Sequence, residues 1–363
     1  MTPEAMGKTG NDVPSVVCSI GGLQYGGHSI ELLNRFEDFQ PEWFDYWYEN
    51  HTLIDGHVLR GALRIVNVED YPYYFMATRS VARRRATYQK CPSGLTAAHR
   101  NALKIIDKHG PFTPSEFANF VDTRDSLPKG KAKKLLYDLY NYGKIARIGR
   151  KANKPLYHVV EKLPYRLDLN VDEEEAKRWL FLKCLSIYGP FRFEDIAHWV
   201  GWTLTETKEI GRTLVQDNTI VKVGVEGQQE TCFARTEDLP ALDALVDSLP
   251  EHSFVRLLFN DDALLLGYYK RLTNDFGYHW TYPQFSEGTV WRAAILYGRQ
   301  IIGEADIDMY ANSPRFKVRN LTLRRRFAIP EILTRIEGEL RKHAAFHNKT
   351  LIATPPKLID SNV

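Results

Sequence analysis

At 363 residues, with 44% hydrophobic and 26% charged residues, the chain has the make-up of a folded protein of two to four modules, not of a disordered one. No apolar run reaches the roughly 20 residues that cross a bilayer as a helix. Its four separated cysteines (Cys18, Cys91, Cys184, Cys232), with no CxxC and no matching histidine spacing, argue against a disulfide framework or zinc site and for a reducing cytosol.

In chain order, residues 1–14 are polar, carry no hydrophobic signal segment and read as a disordered lead. Residues 15–92 open on the glycine-rich turn Gly21-Gly22-Leu23-Gln24. An aromatic helix is expected over 42–49, a hairpin over 53–58 and 62–66, and an exit helix over 68–85 that ends near Arg83, Arg84 and Arg85. Next comes an internal repeat. The run from His109-Gly110-Pro111-Phe112 to Phe117-Ala118 recurs 79 residues later, from Tyr188-Gly189-Pro190-Phe191 to Ile196-Ala197.

Each copy has the same surroundings. An amphipathic helix precedes the Gly-Pro, with Ala98, Ala102, Ile105 and Ile106 on one face in the first copy and Ala176, Leu180, Cys184 and Ile187 in the second. A short helix follows, then a third helix (129–142 and 203–217), then two strands (145–148 and 155–160; 220–223 and 231–234). Three helices and a β-hairpin make a winged helix, whose third helix enters the major groove. Residues 93–168 and 169–248 are therefore expected to be two such modules, with 15–92 a divergent third.

The net charge of +3 conceals a local concentration. Between residues 126 and 160, nine Lys/Arg stand against Asp138 alone. Lys129, Lys131, Lys133 and Lys134 fall on the third helix and its start, Arg147, Arg150, Lys151 and Lys154 on the hairpin. Helix and hairpin together would meet phosphates on both sides of one groove, so double-stranded DNA is the expected partner. The second copy mixes Glu206 and Glu209 with Lys208 and Arg212, and its hairpin carries Glu226 and Glu230. It reads as mainly architectural, or as touching DNA only at its edges. Residues 249–348 look like a small antiparallel β-rich module closed by a helix over 330–347, with strands at 254–259, 278–282, 290–296, 300–306 and 316–323. Residues 349–363 read as a loose tail. The fold class expected is α+β: three tandem winged-helix modules and this β-rich module.

Several of these stretches together resemble the AlkZ/YcaQ-like family of bacterial winged-helix DNA glycosylases. They are Gly22-Leu23-Gln24, Leu59-Arg60-Gly61-Ala62-Leu63-Arg64, Val68-Glu69-Asp70-Tyr71-Pro72, the surroundings of Gly189-Pro190, Arg256-Leu257-Leu258, Asp262-Ala263-Leu264-Leu265 and Gly303-Glu304-Ala305-Asp306. The resemblance covers most of residues 16–347. It implies hydrolysis of the N-glycosidic bond of N7-alkylated purines and unhooking of interstrand crosslinks, with no cofactor and no metal.

The family motif pairs a Gln with a Gln or Asp two positions later. Here Gln24 takes the first position as the water-positioning group, and Gly26 stands at the second, where His28 or Glu31 is the candidate substitute. Arg64 stands where the family has His, and Arg60 matches the family Arg; both are candidate DNA contacts. Two readings remain open: a monomeric, cytoplasmic, nucleoid-associated repair glycosylase, or a winged-helix DNA-binding protein without chemistry.

Overall fold

The computed structural model describes residues 10–24, 27–84, 94–122, 130–152, 154–225, 230–248, 254–259, 262–268, 271–279, 290–308 and 313–360. The chain forms two compact units, one of Met1–Gly26 with Asp38–Asp238, the other of Gly27–Glu37 with Leu239–Val363. Architecturally it is α+β, with several small sheets and one larger sheet.

The first unit begins with α1 (Val13–Ser19), which starts inside the stretch expected to be a disordered lead and buries Val13, Val16 and Val17. Next is the two-residue strand β1 (Leu23–Gln24). Helix α2 (His28–Leu33) packs in the second unit. The first unit resumes with α3 (Pro41–Glu49), β2 (Leu53–His57), β3 (Leu63–Asn67) and α4 (Tyr71–Arg84). The strands form a three-stranded sheet in the order β1-β3-β2.

The repeat then unfolds as the sequence suggests. Its first copy is α5 (Ala97–His109), α6 (Pro114–Asp122), α7 (Ala132–Asn141), β4 (Ile145–Lys151) and β5 (Lys154–Val159). Its second is α8 (Glu173–Tyr188), α9 (Phe193–Val200), α10 (Leu204–Gln216), β6 (Ile220–Val223) and β7 (Cys232–Arg235). The repeated Gly-Pro-Phe has a structural job. Phe112 exchanges both backbone hydrogen bonds with Tyr157 on β5, and Phe191 does the same with Phe233 on β7. Each motif thus pins its second helix to its hairpin, and Phe112 and Phe191 are buried there. In the first copy the apolar face of α7 (Ala132, Leu135, Leu136, Leu139) closes the core against Ile106, Phe117, Ile145 and Tyr157. A spacing of three to four residues puts these side chains on one helical stripe and leaves the lysines on the other.

The second unit holds α2, α11 (Leu239–Ser248), β8 (Val255–Phe259), α12 (Ala263–Gly267), α13 (Leu272–Phe276), β9 (Val290–Tyr297), β10 (Gln300–Asp308), β11 (Arg315–Arg324), α14 (Pro330–Phe346), β12 (Thr350–Ala353) and β13 (Lys357–Ile359). The sheet runs β12-β11-β10-β9-β8, with β13 also on β11. Strand alternation sorts its side chains onto two faces. Val255, Leu257 and Phe259 join the core under α14, where Ile332, Ile336, Leu340 and Ala344 repeat every four residues. Leu258, Ala294 and Leu296 face Leu265 and Leu272 of α12 and α13. Gly303 allows β10 to lie close against β11, since a Cβ there would lie 2.1 Å from the Thr322 carbonyl oxygen, and it sits at the bulge in the pairing of β10 with β9.

The structure differs from the sequence reading in three places here. Tyr278 and His279 are in no strand, and the remainder of the expected strand, 280–282, lies outside the described residues. Two short helices, α12 and α13, occupy the segment between β8 and β9. The tail is not loose: β12 and β13 add parallel strands to β11, which satisfies backbone groups that an edge strand would leave open.

Candidate nucleic-acid interface

The first unit gathers most of the sequence-nominated residues in two places, the Gly21–Gln24 turn with its sheet, and the first copy of the repeat. Gly21 and Gly22 both have positive φ (+74° and +96°), a conformation that costs L-residues but not glycine. Space enforces it too: a Cβ at Gly22 would lie 2.9 Å from the Ile65 carbonyl oxygen, and one at Gly21 2.8 Å from the Trp199 ring. The turn drops β1 onto β3 with Leu23 opposite Ile65 and Gln24 opposite Arg64. Leu23 is fully buried and Gln24 half-buried.

Arg64 is not displayed to a ligand. It is buried, and its Nη1 donates to the Gly22 carbonyl oxygen at 3.2 Å, bracing the turn that carries Gln24. Arg60 sits in the tight Leu59–Gly61 turn between β2 and β3 with φ +53°, ψ +19°, a left-handed conformation that non-glycine residues adopt at a cost. Its Nη1 lies 3.3 Å from His198 Nε2 on α9. His198 carried no sequence signal, because a lone histidine after a glycine-proline motif has nothing to distinguish it.

Arg147 corrects the sequence reading most sharply. It was expected on the surface of the hairpin, but β4 turns it inward. It ion-pairs with Asp55 of β2, its Nε donates to the Tyr157 hydroxyl at 3.1 Å, and its guanidinium lies 5.4 Å from the Tyr140 and Tyr157 ring centres. Tyr48 donates to the other Asp55 oxygen at 3.0 Å. Burial opposes the Arg147 charge, but its neighbours, Tyr140 and Asp55, outweigh that and raise its pKa. Burial, with the Asp55 carboxylate second, pushes the Tyr48 hydroxyl up, so it stays a hydrogen-bond donor. Asp55 was the missed partner. An acidic residue inside the apolar run Leu53-Ile54-Asp55 is the signal that could have revealed it, since a buried carboxylate requires a cation.

The remaining basic residues of this copy are outside. Lys131, at the N-cap of α7, and Lys133 are exposed, and no side chain caps that helix end. Lys134 is half-buried and bonds Asp138 at 2.6 Å; the same carboxylate takes His99 at 3.2 Å. Across the hairpin turn, Arg150 pairs with Pro155 and Lys151 with Lys154. Arg150 is exposed and lies over the Tyr48 ring at 5.2 Å. Lys151 reaches Glu116 at 2.6 Å, and that hydrogen bond holds the Glu116 carboxyl down at about 2. Lys154 is exposed. In the second copy several charges pair within the module: Lys177 on α8 meets Glu173, Glu174 and Glu206, Arg192 ahead of α9 meets Asp195 and Glu230, and Lys208 on α10 lies 3.8 Å from Glu194.

His28 starts α2 and so belongs to the second unit, whereas Gln24 belongs to the first. That unit anchors the α2 segment through Arg35, which bonds both oxygens of Asp262 at 2.9 and 2.8 Å, and through Asn34, which donates to the Leu257 carbonyl at 2.7 Å. Gly26, Arg85, Lys129 and Glu226 lie outside the described residues. Among the described residues no cluster of three or more His, Cys, Asp or Glu is placed to hold a metal, and no helix is long and apolar enough to cross a membrane.

Comparison with known proteins agrees with this reading of the sequence. Residues 19–346 match the family model described as "DNA glycosylase AlkZ-like". The fold is similar to that of the Streptomyces sahachiroi DNA glycosylase AlkZ, at 17% identity and a TM-score of 0.69, over 98% of this chain and 94% of that one. No curated protein matches the chain significantly.

Proposed function

Since the chain belongs to the AlkZ-like DNA glycosylase family, we propose that it is a repair glycosylase acting on N7-alkylated purines in duplex DNA, including the unhooking of interstrand crosslinks. Its modules are then three tandem winged helices (15–92, 93–168, 169–248) followed by the β-rich module (249–348). The second of them grips the duplex through α7 and the β4–β5 hairpin.

The observation that carries the reading is the exposed basic set Lys131, Lys133, Arg150 and Lys154 on the helix and hairpin of one copy, whereas the third helix of the second copy mixes Lys208 and Arg212 with Glu206 and Glu209. Fixed cations at a helix end and on the neighbouring hairpin suit two phosphate rows flanking a groove. The chemistry asked of the protein is modest. Alkylation at N7 makes the purine a cationic, activated leaving group, so no strong general acid is required. The enzyme has to hold a water against C1′ while the sugar gains oxocarbenium character. The Gln24 side-chain carbonyl is the proposed group to orient that water, and the paired glycines with Arg64 hold its strand.

A second reading, a DNA-binding relative without chemistry, is favoured by Gly26, which supplies no functional group where the family motif has its second polar residue. One experiment separates the two. A duplex containing N7-methylguanine, incubated with excess protein and treated with alkali, should break at the lesion. Gln24→Ala should lose at least tenfold in rate with DNA binding retained. Tight binding without abasic sites would establish the second reading.

A further inference from the structure

We propose that Cys18 and Lys183 are the two ends of an oxidation-formed S–O–N crosslink, a redox modification site beneath the Gly21–Gln24 turn. Lys183 Nζ on α8 lies 2.7 Å from Cys18 Sγ at the end of α1. That distance is at the short edge of N–H···O hydrogen bonds, although sulfur is the larger atom. The two side chains are therefore held closer than an ordinary amine–thiol contact.

Asp70 completes the group, with its Oδ2 3.2 Å from the Lys183 nitrogen and 3.6 Å from the Cys18 sulfur. The Trp179 ring lies 5.5 Å from the ammonium. The cluster is half-buried, with 13% of the Lys183 and 20% of the Asp70 side chain exposed, so a small oxidant reaches it. Cys184 and Cys232 are fully buried and lack this access.

The Lys183 ammonium gives up a proton to solvent, which frees the amine lone pair, while the Asp70 carboxylate holds the nitrogen beside the sulfur. One hydrogen peroxide transfers an oxygen to the Cys18 thiol, giving the sulfenic acid and a water. A second peroxide accepts the two hydrogens lost as the sulfenic oxygen joins the amine, and leaves as two waters. The product is Cys18–S–O–NH–Lys183. Excess dithiol reverses both oxidations, returning thiol, amine and water.

The location gives the crosslink its consequence. The Cys18 carbonyl receives the Gly21 N–H, so the residue that would be tethered also shapes the turn carrying Gln24. One helical turn further along α8, Ile187 abuts Gly21. The bond would tie that turn to α8. The chemistry does not depend on the glycosylase reading, and its test does not use that activity.

Full-length protein treated with a few equivalents of hydrogen peroxide should gain about 14 Da, one oxygen in and two hydrogens out, along the first rung of thiol oxidation. Dithiothreitol should remove the gain, and digestion should yield one joined peptide pair containing Cys18 and Lys183. Lys183→Arg, which keeps a cation for Asp70, should abolish the gain and leave Cys18 to oxidise to its sulfinic and sulfonic acids. Sulfinic or sulfonic acid at Cys18 of the wild-type chain with no joined peptide would overturn the proposal. So would the same 14 Da gain in Lys183→Arg.

Discussion

Replacing Arg147 with alanine tests whether that residue serves the fold or the ligand. In the structure its guanidinium faces the Asp55 carboxylate inside the first unit, with Arg147 8% and Asp55 3% exposed. Among the described residues the substitution leaves the Asp55 carboxylate the Tyr48 hydroxyl as partner, and it strips the cation from the Tyr140 and Tyr157 rings. Stranding a buried carboxylate in this way costs about 3–5 kcal/mol. The double variant Asp55→Asn with Arg147→Met removes both charges, keeps most of the volume, and should recover more than half of that loss. Urea unfolding followed by circular dichroism reads both values. DNA affinity, measured where the variant is still folded, should keep the wild-type salt dependence. The reasoning fails if Arg147→Ala leaves the unfolding midpoint unchanged while weakening DNA binding and lowering the salt slope by about one, the signature of a phosphate contact.

Lys133→Glu or Arg150→Glu should do the reverse: stability within about 0.5 kcal/mol of wild type, weaker DNA binding, and a salt slope shallower by about one for each lost contact. Equal binding at several salt concentrations would move the interface elsewhere. Gly22→Ala should destabilise by about 1–3 kcal/mol, because alanine is strained at φ +96° and its Cβ meets the Ile65 carbonyl; an unaltered melting temperature would contradict the turn geometry. Acid should weaken the second unit. Burial lowers the His343 pKa and, acting mainly through burial on His347 too, takes that group down to about 4 from 6.5. Between these values the unfolded chain binds protons that the folded one refuses. Stability is therefore complete above pH 6.5 and falls as pH drops towards 4, by about 1–2 kcal/mol for His347 once its partial exposure is allowed for. A flat stability profile from pH 7 to 4.5 would refute this.

The sequence alone determined whatever depends on neighbours along the chain. The three-to-four-residue spacing in α5, α7 and α8 made helices legible. The 79-residue repeat exposed two copies of one arrangement, and the charge count on 126–160 located the basic copy. Family-like motifs such as Gly22-Leu23-Gln24 carried the functional reading that the family match on residues 19–346 then supported.

Direction and partnership were decided in three dimensions. Lys133 and Arg147 look alike as letters in a basic run. Yet helix phase turns Lys133 to solvent, while the inward face of β4 delivers Arg147 to a carboxylate 92 positions away in sequence. Arg64 is drawn inward in the same way, because the glycine turn brings a carbonyl 42 positions distant within reach. The tail looked loose because its strands are short and interrupted by Pro355-Pro356, and only the open edge of β11 gives them something to pair with. Cys18, Asp70 and Lys183 are separated by up to 165 positions. No local pattern links them, and only the packing of α1 and α4 against α8 makes them one site.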